Sequence, residues 1–68
     1  MTVYYYNYAT NSPVCYCTNG KDFYEINGAP FAYVINNYWY SYNDNSCIGW
    51  QKDKWVYSLG GDPLYYTT

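Results

Sequence analysis

Turn-forming residues recur along this 68-residue chain at the spacing of short β-strands. Seven clusters rich in Asn, Gly, Pro, Asp and Ser interrupt it, at residues 11–13, 18–20, 27–30, 36–37, 43–45, 51–53 and 60–63. These residue types suit the backbone angles of tight turns, and no segment between the clusters has the 3.6-residue apolar period of a helix. The pattern predicts an all-β fold: a small antiparallel β-meander, a sandwich or a barrel-like domain.

Eight candidate strands lie between these turns. They cover residues 3–8, 14–17, 22–26, 31–35, 38–42, 46–50, 54–59 and 64–67. The pair Asn19-Gly20 predicts a type I′ hairpin turn, because both central residues of that turn have positive φ, which Asn and Gly tolerate. A single domain over residues 1–68 is expected, since a chain of this length holds one core at most.

A repeat of about 33 residues runs through the sequence. The triplet Gly-x-Pro occurs at residues 28–30 and again 33 positions later, at residues 61–63. The aromatic alternation of residues 4–8 resembles that of residues 38–42, at an offset of 34. The alternative explanation is chance, because a chain rich in Tyr and Asn can align its tyrosines by composition alone. Composition does not so easily align the two Gly-x-Pro triplets. We therefore expect two internal repeats, at approximately residues 3–35 and 37–68.

Aromatic side chains far outnumber aliphatic ones. The chain contains thirteen Tyr, three Trp and two Phe, but only nine Val, Ile or Leu. Aromatic rings must complete so thin an aliphatic core, and the remaining rings must lie on the surface, where aromatic patches usually mark interaction sites. Burial at this size leaves only ~3–5 kcal/mol of net stability, which favours association of subunits. We therefore expect a homo-oligomer.

Tyrosines alternate along the first strand and along the equivalent strand of the second repeat. Those sharing one face are Tyr4, Tyr6 and Tyr8 in the first strand, and Tyr38, Tyr40 and Tyr42 in the second. Such ladders either pack into the core, which we favour, or form an exposed flat platform. All of them except Tyr40 are assigned to a self-association interface.

Charge and residue types argue against several functions. With three Lys, no Arg and a net charge of −2, the chain lacks the basic surface that nucleic-acid phosphates require. It has no His, no evident base for a Ser or Thr nucleophile and no evident carboxylate pair, so we expect neither catalysis nor catalytic residues. No apolar run approaches the ~20 residues of a membrane span. No signal peptide is visible, and the expected localisation is cytoplasmic by default.

The three cysteines are most simply interpreted as buried, reduced thiols. Cys15 and Cys17 lie ~6.6 Å apart along one strand, at the outer edge of disulfide geometry. A Cys15–Cys47 disulfide is the alternative, because both residues occupy equivalent repeat positions. Zinc would lack a fourth ligand, and the oxygen-rich loop at residues 43–46 lacks the full spacing of an EF-hand calcium loop. No metal and no cofactor are predicted.

The tryptophans of the second repeat lie near amide and carboxylate side chains in the sequence. An aromatic ring stacks on the C–H face of a sugar, while amides and carboxylates bind its hydroxyls. The sequence therefore suggests a non-enzymatic, lectin-like carbohydrate-binding module. Its candidate ligand-binding residues are Trp39, Trp50, Trp55, Tyr40, Asn43 and Asp44.

Other interpretations of the same residues stay open. The tryptophans can instead fill the core that the aliphatic residues leave incomplete. The whole chain can be a structural subunit of a homo-oligomer, a filament or a virion. It can also be a small inhibitor or adaptor that binds a partner protein through a Tyr-rich surface.

Overall fold

The structure is a computed structural model that describes residues 2–68, and it contains eight antiparallel strands. The strands are β1 (Val3–Asn7), β2 (Pro13–Cys17), β3 (Asp22–Glu25), β4 (Pro30–Ile35), β5 (Tyr38–Ser41), β6 (Cys47–Lys52), β7 (Trp55–Ser58) and β8 (Pro63–Tyr66). Each strand pairs with the next, and β8 pairs with β1, so the sheet closes into a barrel. The predicted all-β, barrel-like fold is confirmed, and every predicted strand overlaps an observed one.

Four β-hairpins build the barrel: β1–β2, β3–β4, β5–β6 and β7–β8. Each tip turn contains one residue with positive φ, at Asn11 (60°), Gly28 (98°), Asn45 (61°) and Gly61 (94°). These residues recur every 16 or 17 positions. The 33-residue offset in the sequence therefore spans two hairpins, and the division into repeats 3–35 and 37–68 stays a prediction.

The strand register shifts at the same place in all four hairpins, directly after the buried residue of the first strand. Each shift leaves one residue of the second strand without a partner across the ladder: Val14, Phe31, Ile48 and Leu64. A β-bulge of this kind bends its strand and increases the local twist, which helps short strands to close a barrel. Val14, Phe31 and Ile48 also pack against the core.

The core is filled by facing residues of complementary size. The four facing pairs are Tyr5 with Cys15, Phe23 with Ala32, Trp39 with Gly49, and Val56 with Tyr65. The first strand carries the larger residue in three hairpins, and the fourth hairpin reverses the order. The largest ring therefore faces the residue that has no side chain. This arrangement suits close packing in the middle of a narrow barrel.

The two ends of the barrel differ. The tip end carries the four hairpin tips, at residues 8–12, 26–29, 42–46 and 59–62. The mouth end carries the turns that join successive hairpins, at residues 18–21, 36–37 and 53–54. Among the described residues, no helix is long and apolar enough to cross a membrane.

The turn at Asn19-Gly20 is not the predicted type I′ turn. Gly20 has a φ of 78°, but Asn19 does not have a positive φ. The side-chain oxygen Oδ1 of Asn19 instead accepts hydrogen bonds from the backbone N–H groups of Lys21 and Asp22, at 2.9 and 3.0 Å, and these bonds form a local turn. Two successive positive φ values occur at Asn36-Asn37, with 52° and 68°, where Ile35 pairs directly with Tyr38.

Candidate functional site

The barrel divides the eighteen aromatic residues between its interior and its outside. Five form the core or pack against it: Tyr5, Phe23, Phe31, Trp39 and Tyr65. The other thirteen lie on the outside and are called the outer belt: Tyr4, Tyr6, Tyr8, Tyr16, Tyr24, Tyr33, Tyr38, Tyr40, Tyr42, Trp50, Trp55, Tyr57 and Tyr66. The aromatic excess of the sequence is therefore mainly a surface property.

The tyrosine ladders read from the sequence belong to this outer belt. Tyr4, Tyr8, Tyr38 and Tyr42 are between 43 and 50% exposed. The favoured expectation that the ladders pack into the core is therefore wrong, because their alternate neighbours face the barrel interior instead. Their assignment to a self-association interface stays a prediction.

Aromatic pairs cross each of the four seams between hairpins. The pairs are Tyr16–Tyr24, Tyr33–Tyr40, Trp50–Tyr57 and Tyr66–Tyr6, with ring centroids 4.6 to 5.8 Å apart. The two members of each pair face each other in the strand register. Cross-strand pairs of this kind stabilise a sheet by ~0.2–1 kcal/mol each. Part of the outer belt therefore holds the hairpins together.

A large apolar side chain also stands at the beginning of every hairpin tip. The four side chains, called the tip ring, are Tyr8, Ile26, Tyr42 and Leu59, and they are 50, 47, 43 and 63% exposed. Each follows the last residue of the first strand in its hairpin. The tip ring gives this end of the barrel an apolar rim.

The outer belt is richest where β8 meets β1. Trp55 is 38% exposed, and its ring lies 5.7 Å from Tyr8 and 5.5 Å from Tyr66 between centroids. The Tyr66 hydroxyl donates a hydrogen bond to Asn11 Oδ1 at 2.8 Å. This bond leaves the Nδ2 protons of Asn11 available to another acceptor. We call Trp55, Tyr8, Tyr66 and Asn11 the Trp55 corner.

One seam carries an acidic side chain at the position where the other three seams carry Tyr4, Tyr38 or Trp55. Asp22 occupies in the second hairpin the position that Trp55 has in the fourth, and the Tyr42 hydroxyl donates to its Oδ1 at 2.6 Å. This hydrogen bond lowers the pKa of Asp22, with help from Asn19, and raises the pKa of Tyr42 to about 12. At neutral pH the seam therefore holds a carboxylate bonded to a protonated phenol.

The six predicted ligand-binding residues do not form one site. Trp39 is fully buried and donates from Nε1 to Gln51 Oε1 at 3.0 Å, so its ring has no free face for a ligand and belongs to the core. Trp50 stacks on Tyr57 with centroids 4.6 Å apart, and Tyr40 stacks on Tyr33 at 5.4 Å. A ligand role for Trp50, Trp55 and Tyr40 stays a prediction.

Asn43 and Asp44 lie in the tip turn between β5 and β6, where their hydrogen bonds are local. The side-chain oxygen Oδ1 of Asp44 accepts from the hydroxyl and the backbone N–H of Ser46, at 2.7 and 3.0 Å. These two bonds hold the pKa of the Asp44 carboxyl below its usual range. Within residues 2–68, no group of three or more Cys, Asp or Glu side chains is placed to hold a metal ion.

All three thiols are free in the structure. Cys15 and Cys17 are buried inside the barrel, whereas Cys47 is half-buried at the beginning of β6. Burial, together with the neighbouring Cys17, raises the pKa of Cys15 to about 12. The Cys15 thiol therefore stays protonated at neutral pH and reacts slowly as a nucleophile.

Sequence patterns alone did not identify Asn11 or Tyr66 as site residues. Their hydrogen bond joins residues 55 positions apart in the chain. The contact exists only because β8 closes the barrel against β1, and no local motif predicts that closure. The sequence signal that could have drawn attention to Tyr66 is the 33-residue repeat, in which Tyr66 is equivalent to Tyr33.

Residues 3–68 match the model of one protein family, described as 4-fold beta flower protein. The match covers nearly the whole chain, and four hairpins around one barrel agree with the description. Comparison with curated proteins gave no match, and comparison with solved structures gave none either.

Proposed function

We propose that this chain, which belongs to the 4-fold beta flower family, is a non-enzymatic carbohydrate-binding module whose contact surface is the Trp55 corner. The observation that carries this proposal is the exposed Trp55 ring, flanked by two tyrosine rings within 6 Å and by a side-chain amide with free donors. This combination of one apolar ring face and adjacent hydrogen-bonding groups is what a sugar requires.

Each group of the Trp55 corner has a distinct role in this proposal. The Trp55 ring stacks on the C–H face of a pyranose, and Tyr8, at an interplanar angle of 60°, forms a wall beside it. The Nδ2 group of Asn11 donates to a sugar hydroxyl. Tyr66 is a positioning residue, because its hydroxyl holds Asn11 through the bond at 2.8 Å.

The other three seams support one site per chain rather than four. The residue pairs that correspond to Trp55 with Tyr8 are Tyr4 with Ile26, Asp22 with Tyr42, and Tyr38 with Leu59. Each of these pairs replaces one of the two rings by an aliphatic or an acidic side chain. Within residues 2–68, a stacking platform bounded by a second exposed ring is therefore expected only at the β8–β1 seam.

Glycan-array binding of Trp55→Ala and of a matched control variant tests the proposal. We expect Trp55→Ala to lose the array signal by about tenfold or more, because stacking and ring burial contribute ~1–3 kcal/mol at such a site. Tyr38→Ala removes an equivalent ring that is 47% exposed, and it should keep the signal. Both variants should keep the far-UV spectrum of the unsubstituted protein.

Two array results would contradict this assignment. Equal loss of the array signal in Trp55→Ala and Tyr38→Ala would mean that the outer belt binds glycans without a defined site. Full retention of binding in Trp55→Ala would exclude the Trp55 corner.

Self-association is a second candidate role, and the tip ring is the observation that favours it. Four exposed apolar side chains around one end of so small a barrel form a surface that a second copy of the chain would cover. A native mass that falls on dilution, measured by light scattering, would support this role. A monomer near 8.1 kDa at every concentration would exclude it.

A further inference from the structure

A cavity of about 530 Å³ opens at the mouth end of the barrel. This volume lies within the ~300–1,000 Å³ of typical small-molecule sites. Its apolar lining includes Tyr5, Phe23 and Val34, and its polar part includes Asn37, Gln51 and Asp53. The lining residues come from the first three hairpins and from the turns that follow them. The cavity therefore exists only in the closed barrel.

Gln51 organises the polar groups of this cavity. Its Oε1 accepts from Trp39 Nε1 at 3.0 Å, and its Nε2 donates to the Tyr5 hydroxyl and to the Asp53 carbonyl oxygen, both at 2.9 Å. Both amide protons of Gln51 are thereby used. A ligand in the cavity therefore finds the Gln51 donors already engaged.

The Tyr5 hydroxyl is different, because it accepts from Gln51 and keeps its own proton to donate. Its hydrogen bond within residues 2–68 is the one that it accepts from Gln51 Nε2, at 2.9 Å. Tyr5 is only 6% exposed, and its burial raises the pKa of the phenol, so the proton is present at neutral pH. The Tyr5 hydroxyl can therefore donate its proton to an acceptor placed in the cavity.

We propose that the mouth cavity binds a small, neutral aromatic molecule that accepts a hydrogen bond from the Tyr5 hydroxyl. The rings of Tyr5 and Phe23 meet edge to face, with centroids 5.3 Å apart, and both line the cavity, where a ligand ring can make the same kind of contact. Lys52 and Asp53 lie together on the rim and carry opposite charges, so the cavity has no net charge to attract an ion. This site is separate from the Trp55 corner, which lies on the outside of the barrel.

Titration of the ¹⁵N-labelled chain with quinoline and with indole tests this inference by NMR. Both probes are two-ring aromatic molecules, but quinoline has an acceptor nitrogen whereas indole has only an N–H donor. We expect shifts at the backbone amides of Gly20 and Asn37 and at the Gln51 side chain. Quinoline should bind up to about tenfold more tightly than indole, as expected for one neutral hydrogen bond.

Two variants separate the hydroxyl from the cavity itself. Tyr5→Phe should remove the preference for quinoline, while Tyr24→Phe, which deletes a hydroxyl of the outer belt, should keep it. If Tyr5→Phe does not fold, Val34→Phe is the second variant, because a larger side chain at the mouth should fill the cavity and weaken both probes. The inference is overturned by equal binding of the two probes to the unsubstituted chain. Unaltered binding in Val34→Phe, shifts confined to the outer belt, or no shift at all would overturn it too.

Discussion

Gly49→Ala is expected to cause one of the two largest losses of stability of any single substitution in this chain. A Cβ on Gly49 would overlap the carbonyl oxygen of Tyr57 and lie 2.9 Å from the carbonyl carbon and 3.1 Å from the Cα of Ser58. These are backbone atoms of the neighbouring strand, so the β6–β7 pairing must move to make room. Overpacking of this kind typically costs ~1–3 kcal/mol, and more where backbone must shift. The free energy of unfolding expected for a domain of this size is only ~3–5 kcal/mol.

Urea denaturation followed by far-UV circular dichroism measures this loss. Gly60→Ala is the matched control, because the nearest atom to its added Cβ is Ser58 Oγ at 3.8 Å. That variant should change the free energy of unfolding by no more than ~0.5 kcal/mol. A Gly49→Ala protein with the midpoint of the Gly60→Ala control would contradict the close approach of β6 and β7.

Trp39→Ala is expected to leave the chain largely unfolded at room temperature. The Trp39 ring is fully buried and contacts Phe23, Tyr5 and Tyr65, with centroids 4.1, 5.3 and 5.9 Å away. Gly49 faces Trp39 across the hairpin and has no side chain with which to fill the space. Truncation of a buried Trp costs ~3–5 kcal/mol, which equals the expected stability of a domain of this size.

Thermal unfolding monitored by near-UV circular dichroism tests the Trp39 prediction. Trp55→Ala is the control, since it removes the same ring from a site that is 38% exposed, and it should melt cooperatively. A cooperative transition in Trp39→Ala at the temperature of the control would show that the four-ring core is not what holds the barrel together.

The strand positions were predictable from the sequence because turn chemistry is local. Asn, Gly and Pro set backbone angles at their own positions, so the clusters at 11–13, 27–30 and 60–63 indicate the hairpin tips directly. The prediction of the exact turn type at Asn19-Gly20 was wrong, because the Asn19 side chain accepts hydrogen bonds from the backbone and favours a wider loop. Side-chain competition of this kind does not show in a dipeptide pattern.

The inward and outward assignment of the rings was harder to predict. Tyr4, Tyr5 and Tyr6 are chemically identical in the sequence, yet only Tyr5 faces the interior. Alternation separates the two faces but does not say which one is buried, since both carry aromatic rings. The size match between Trp39 and Gly49 identifies the inner face, and it depends on a strand register that the sequence does not state.

The Trp55 corner illustrates why the candidate site was only partly predictable. Trp55 is a candidate from the sequence because of its residue type, but two of the other three residues of the corner come from the opposite end of the chain. Tyr8 and Asn11 reach it through the β8–β1 pairing, which closes the barrel. Asn43 and Asp44 are near Trp39 and Trp50 in the sequence, whereas their hydrogen bonds stay within their own hairpin.

An NMR titration of the three tryptophan indole N–H signals, using the glycan that binds most strongly on the array, tests the account most directly. The Trp55 signal should move progressively with glycan concentration, because its ring is the proposed stacking surface. The Trp39 signal should stay fixed, since its proton is buried against Gln51 Oε1 at 3.0 Å. Movement of the Trp39 signal with a fixed Trp55 signal would contradict the account and transfer glycan binding from the outer belt to the mouth cavity.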